Sequence, residues 1–542
     1  MISHRFPSAA LAPFTTIDEM LLLTHHDFSG HKKPMTTAQS RLGGAPSVLD
    51  LPLRVDETGV ELKRGAFLNT IALLASNFRG IFTFLVARLL GPAVLGLFSV
   101  AWATTDLISK IGIVGLDNAI MTFIARSEAV GDRARSRMLF RLAVGLAVTQ
   151  SAVVAVLSIV VIRLFGHRFG LQTDMVSAQA IILWALPGIA LYRMSTSVSR
   201  GMKVMQHDIY SRGITEPIAT TLAFLITFVI GFKKFGPELA AIVGTAASGA
   251  VALAFASKLF RRAPAEDGST SFQTETRQLL GYATPIGAYQ LLNTLISRLD
   301  IILLGCFIGR APGVTLATVG IYGAAVDTAN GLRKLNQTFN PIFAPVIAGM
   351  TATGDRQRAE ATYERLAQWM LWILLPLVMV MVLAGSIILL IYGPAFQIGG
   401  EWLGIVATAA AINAFVSLGE TAIMVQRPGL NLLNSSIACA ISCLLLFWLI
   451  PRFGVMGAAV STLVPQIAQG ILRSIALRVV FGWKTSWRNI RPPVTITAIG
   501  LIPALLCRST LSGIIGQITA AGVFLAVFGS GWWYYYRLRK QT

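Results

Sequence analysis

Residues 138–162 read MLFRLAVGLAVTQSAVVAVLSIVVI, twenty-five positions with a single charge, Arg141. About 20 helical residues cross the ~30 Å hydrocarbon layer of a bilayer with every backbone polar group satisfied internally, so this stretch alone predicts a membrane span. Working outward, about fourteen such stretches follow one another: 67–89, 94–115, 138–162, 176–196, 213–231, 238–257, 279–307, 315–347, 366–391, 402–425, 429–450, 455–477, 492–507 and 512–536. They are continuously apolar and lack alternation at every second residue, which predicts an all-α polytopic membrane protein and excludes a β-barrel. Residues 315–347 are too long for one straight span, and their polar centre at Asp327, Asn330, Arg333 and Asn336 predicts a bend or a cavity-facing stripe.

Charge orients the bundle. Alternate loops are rich and poor in Lys and Arg: Arg126, Arg133, Arg135, Arg137 and Arg141 stand on one side of the third span, Arg163 and Arg168 on the other. Over all loops and span ends, with Arg193 and Arg473 counted among them, the division is 27 to 8. The positive-inside bias then places both termini in the cytoplasm. The net charge of +20 reads as a rim against anionic lipid headgroups, because it is spread over separate loops without the contiguous basic patch a nucleic-acid partner needs.

Several chemistries are disfavoured. Cys306, Cys439, Cys443 and Cys507 all fall in apolar stretches, which does not indicate a disulfide framework. The six histidines lie in the amino-terminal tail and in loops, with no helix carrying the paired imidazoles of a zinc enzyme. There is no Gly-rich phosphate cradle, and the loops are too short for a catalytic or nucleotide-binding domain. A polytopic bundle without catalytic domains points to transport, and no enzymatic activity, cofactor or metal is expected.

Phe235-Gly236 followed by Ala240-Ala241, entering the sixth span, echoes Phe453-Gly454 followed by Ala458-Ala459, entering the twelfth. Likewise Leu90-Gly91 with Gly96-Leu97-Phe98 has a looser counterpart in Leu304-Gly305 with Gly320-Ile321-Tyr322. Two echoes in corresponding places predict two related six-helix lobes facing one another, as in transporters whose repeats frame a central site. The organisation expected is a disordered cytoplasmic tail over 1–62, an N-lobe over 63–262, a cytoplasmic linker over 263–276, a C-lobe over 277–482, and two appended spans with a basic carboxyl terminus over 483–542. Met35 is an alternative start to Met1.

The runs Asn77-Phe78-Arg79-Gly80, Ala87-Arg88-Leu89-Leu90-Gly91-Pro92, Gly96-Leu97-Phe98-Ser99 and Gly115-Leu116-Asp117-Asn118-Ala119 resemble the opening helices of polysaccharide flippases in the multidrug/oligosaccharidyl-lipid/polysaccharide exporter superfamily. Asp300 to Gly305, Gly320-Ile321-Tyr322 and Asn340-Pro341-Ile342-Phe343-Ala344-Pro345 are similar to the start of their second lobe. The resemblance covers roughly residues 65 to 480. It implies the architecture shared by multidrug exporters and peptidoglycan-precursor flippases, and a cleft that alternately opens to the two sides of the bacterial inner membrane. The implied cargo is an undecaprenyl-pyrophosphate-linked oligosaccharide for exopolysaccharide or O-antigen (lipopolysaccharide) assembly. The implied partners are membrane lipids, a polysaccharide polymerase and glycosyltransferases. A peptidoglycan-precursor flippase and a cation-coupled multidrug exporter remain as alternatives.

Ionisable residues at membrane depth are costly and are therefore candidates for function. Arg79, Lys110, Arg298 and Arg333 are the candidate cations for a pyrophosphate, with the forks and point charges that offset its desolvation. Asp106, Asp300 and Asp327 are the candidate ion-coupling acids. Each has a plain structural reading as well: Asp106 and Lys110, four apart on one helix, suit one another as an ion pair.

Overall fold

The computed structural model describes the backbone of residues 55–261, 272–333, 356–426, 428–483 and 487–541, and side chains over most of these from residue 80 onward. Residues 1–54 of the expected tail over 1–62, residues 263–271 of the expected linker over 263–276, and residues 334–347 of the eighth span fall outside the described residues. By internal contacts the chain divides between Leu62 and Lys63, and the description that follows concerns the unit Lys63–Thr542.

The described residues contain helices and turns and no strand. In chain order the helices are α1 (Val55–Ile113), α2 (Leu116–Ala129), α3 (Arg133–Phe165), α4 (Thr173–Ile182), α5 (Leu186–Gly201), α6 (Glu216–Ile230), α7 (Gly236–Leu259), α8 (Phe272–Cys306), α9 (described over 316–333), α10 (Arg356–Leu383), α11 (Gly385–Leu390), α12 (Gly400–Gln426), α13 (Pro428–Phe481), α14 (Trp487–Thr510) and α15 (Gly513–Gln541). Ten stretches among them are long and apolar enough to cross a membrane. Two of the ten contain a non-helical glycine, Gly91 in α1 and Gly454 in α13, that divides each into two consecutive spans. With α8, rich in polar and charged side chains, and with α9, this agrees with about fourteen helices.

Gly91 sits at φ 82°, ψ 179°, a conformation open to glycine but strained for any residue with a Cβ, and Pro92 follows as a residue that starts a helix without needing its N–H. A sharp reversal between the first two spans is thus written locally. The second span breaks at its other end, where Val114 and Gly115 adopt φ 48° and 75° before α2 begins. Hydropathy read residues 116–137 as loop. The structure corrects this: Leu116, Ala119, Ile120 and Ile124 form the buried face of α2, against α3 and α5.

In lipid, burying apolar side chains gives little net drive for association, so close backbone approach by small residues matters more. The helix α7 shows this along Ala240, Gly244, Ser248, Ala252 and Ala256, all buried and four apart, with α5 and α6 packed closely on it. A Cβ on Gly249 would meet the Gly188 carbonyl of α5 at 3.1 Å. A close backbone crossing joins the second span to α9. A Cβ on Gly96 would run into the Leu316 carbonyl, and one on Gly320 into the Pro92 carbonyl, each carbonyl lying four residues before the opposing glycine. The two glycines therefore face one another reciprocally. Elsewhere α14 and α15 pack on α10 through Trp372, Leu383, Ala504, Phe524 and Phe528, and Cys439 packs beside Ile296 and Ala438.

Candidate functional site

A cavity of about 500 Å³ lies among the first two spans, α6, α7, α8 and α9, with Tyr392 completing its wall. Of the residues expected from sequence, it brings together Asp106, Arg298, Asp327 and Arg333. Lys110 and Asp300 are absent from the wall. The side chain of Arg79 lies outside the described residues.

Asp106 is held from two other helices. Arg298 Nε of α8 lies 3.1 Å from Asp106 Oδ2, and Arg193 Nη2 of α5 lies 3.8 Å from Oδ1. Arg193 also reaches Asp117 of α2 at 3.9 Å, while Gln290 Nε2 and the Asn118 N–H donate to the same Asp117 carboxylate oxygen at 3.3 and 2.9 Å. The result is a chain of alternating charge, Arg298–Asp106–Arg193–Asp117, across four helices. Lys110 makes no ion pair within 4 Å among the described residues, but it stands near enough to Asp106 for their opposite charges to interact, beside the shorter pairs between helices.

Asp300 is buried at 3% exposure. Its carboxylate accepts from the Tyr322 hydroxyl at 2.7 Å and the Ile301 N–H at 2.8 Å, which fixes α8 to α9. Arg333 has different surroundings. Its Nη1 stands 3.5 Å from the Ser297 hydroxyl, a weak bond at that length, and its Nε is buried with no hydrogen-bond partner among the described residues.

Three residues of the charged assembly escaped the sequence reading. Arg193 was counted as a loop cation, yet its side chain is only 17% exposed. The available signal was the segment Ser195, Thr196, Ser197 and Ser199 beside it, polar on every side and buried, which an isolated lipid-facing helix does not tolerate. Asp117 was quoted only within a family-like run. Glu216, placed near the end of the fifth span, is buried on the cavity wall directly after a π-helical stretch, Ile209–Thr215. Such insertions are frequent at functional sites. Here Ser248 of α7 donates to the Ser211 carbonyl at 3.0 Å within it.

The wall combines two guanidinium groups, three carboxylates, several hydroxyls and amides, and the aromatic rings of Phe82, Phe98, Trp102 and Tyr392. Such a lining offers a ligand charge-assisted hydrogen bonds, neutral hydrogen bonds and flat apolar surface in one enclosure.

Solved structures described as transporters share this fold. One described as the inward-facing conformation of a multidrug resistance MATE family transporter of the MOP superfamily aligns with a TM-score of 0.59 at 12% identity, over 76% of this chain and 98% of its own. A MOP superfamily transporter from Pyrococcus furiosus, described as having a binding pocket of reverse polarity, aligns at 0.56 and 12%, over 77% and 94%. The eukaryotic MATE transporter AtDTX14 aligns at 0.54 and 14%, over 79% and 96%. At these identities the likeness is one of fold. No curated protein sequence matches the chain. Residues 62–350, more than half of the sequence, match the family described as "Polysaccharide biosynthesis protein". The chain therefore belongs to the polysaccharide biosynthesis protein family, and its multi-pass helical fold is the one seen in those transporters.

Proposed function

We propose that this protein is a flippase that carries an undecaprenyl-pyrophosphate-linked oligosaccharide across the bacterial inner membrane for surface-polysaccharide assembly. The cargo enters from the cytoplasmic side, where both termini lie, and leaves outward while its prenyl tail stays in lipid. A polymerase receives the product and glycosyltransferases supply the cargo. The observation that carries this reading is Arg333: a guanidinium on the cavity wall whose buried Nε finds no hydrogen-bond partner among the described residues. A guanidinium with unused donors suits a pyrophosphate, whereas Arg298 is already committed to Asp106. The two-lobe organisation over 63–262 and 277–482 is part of the proposal, supported by the reciprocal contact of Gly96 and Gly320.

The test replaces Arg333 with Ala and with Lys at matched membrane expression. Surface polymer is expected to fall at least tenfold in Arg333→Ala, equivalent to about 1.4 kcal/mol, with partial recovery in Arg333→Lys. Undiminished polymer in Arg333→Ala removes the residue from the cargo path. A second reading, a multidrug exporter for organic cations, draws on Asp106, Glu216 and Asp327 on the same wall. Deletion that alters drug sensitivity and leaves surface glycan intact favours it.

A further inference from the structure

Three carboxylates stand on the cavity wall, Asp106, Glu216 and Asp327, and they are not held alike. Glu216 is buried in the first turn of α6, and both it and Asp327 have contacts of their own. Asp106 is the wall carboxylate that, among the described residues, is bound at ion-pair distance by a guanidinium of the same wall: Arg298 Nε donates to its Oδ2 at 3.1 Å. The pair joins the second span to α8, and each of its side chains is 22% exposed. A ligand in the cavity can therefore reach and open this pair, which it could not do to a pair sealed in the core.

The charges around the pair make an exchange of partners local. Asp106 presents its other oxygen, Oδ1, to Arg193 Nη2 of α5 at 3.8 Å, and Lys110, one turn along the same helix, also acts on it. Released from Arg298, the carboxylate keeps two cations and does not become a bare buried charge. Arg298 in turn needs another anion. Asp300 and Asp327 act on it without reaching ion-pair distance, and Asp300 is already taken by the Tyr322 hydroxyl and the Ile301 N–H. Arg333 stands close enough to Arg298 for the two guanidinium groups to repel, with Ser297 beside them on the wall. An anion with two charged ends that enters between these groups relieves the repulsion and can take over the bond that Asp106 makes.

We propose that Asp106 is a placeholder for the anionic group of the cargo: it occupies Arg298 when no cargo is bound, yields Arg298 to the pyrophosphate, and takes it back as the cargo leaves. This rests on the flippase reading above, with Arg333 at one phosphate and Arg298 at the other. The carboxylate thereby keeps the site from holding its cargo too tightly, so binding and turnover respond to its loss in opposite directions.

The experiment measures binding of farnesyl pyrophosphate to the full-length purified protein, and surface polymer in cells at matched membrane expression. Asp106→Asn, with Asp106→Ser as a second neutral side chain, is expected to bind farnesyl pyrophosphate about tenfold more tightly, the order of one added charge-assisted hydrogen bond, while surface polymer falls by a similar factor. Asp106→Glu, which retains the charge, is expected to stay closer to the parent in both measurements. The gain must pass through Arg298: in an Arg298→Gln background, Asp106→Asn is expected to add nothing to the affinity. An equal gain in that background reports only the general effect of removing a negative charge and overturns the placeholder. So does an unchanged or weaker affinity in both neutral variants, or a tighter affinity with undiminished polymer. A loss of tetraphenylphosphonium binding in Asp106→Asn without a gain for farnesyl pyrophosphate also overturns it, and assigns the carboxylate to cations. Failure of the parent protein to bind farnesyl pyrophosphate at all is the separate result that overturns the flippase reading.

Discussion

Two arginines buried in different parts of the bundle show how one residue type serves two ends. Arg193 of α5 is shared between Asp106 and Asp117 at 3.8 and 3.9 Å, beside a cavity wall to which Arg298 contributes a third contact. Among the described residues, Arg473 of α13, 2% exposed, pairs with one carboxylate, Glu420 of α12, at 2.8 Å, while its Nε and Nη1 are buried without hydrogen-bond partners. The first is a loose pair of contacts distributed over separate elements. The second is one short contact between two helices packed side by side along their length. Loose shared pairs exchange partners when helices shift, whereas a single short pair in a dry interior holds its helices in one register.

The comparison is broken most directly at Glu420. Glu420→Ala leaves Arg473 buried and unpaired, and is expected to cost about 3–5 kcal/mol, seen as a clear drop in the thermal unfolding midpoint of the purified protein. An unchanged midpoint would show that the pair holds nothing together. Arg193→Ala is expected to cost less, about 2 kcal/mol, because Asp106 keeps Arg298 and Asp117 keeps Gln290 and the Asn118 N–H. Its effect on surface polymer is expected to exceed its effect on the midpoint, the reverse of Glu420→Ala. Equal ratios in the two variants would erase the distinction between exchanging and fixed pairs. The smallest change sharpens it: Asp117→Asn keeps the acceptor oxygen and removes the charge, and is expected to shift the midpoint by about 1 kcal/mol or less.

Much of the bundle was legible in the sequence because membrane spans are set by long-range composition. The stretch 138–162 lies inside α3, and Gly91-Pro92 marks the reversal between the first two spans with two residues. The site was legible residue by residue and not as an arrangement. Asp106 and Arg298 both stood out as charges at depth, but their contact joins positions 192 apart, which no helical period reports. Arg193 and Arg473 were misread for a common reason. Counting cations near span ends assumes that a charge in the last turn of an apolar stretch reaches water, yet α5 and α13 continue past positions 193 and 473 against other helices. The same assumption hid α2, whose buried face is short and whose outer face is charged.

The meeting of Gly96 and Gly320 works as a bare bearing. Two rods that touch through backbone alone, with no side chain wedged between them, can roll at that point without first withdrawing a knob from a hole. A single added methyl at either glycine would act as grit, forcing the second span and α9 apart at that point.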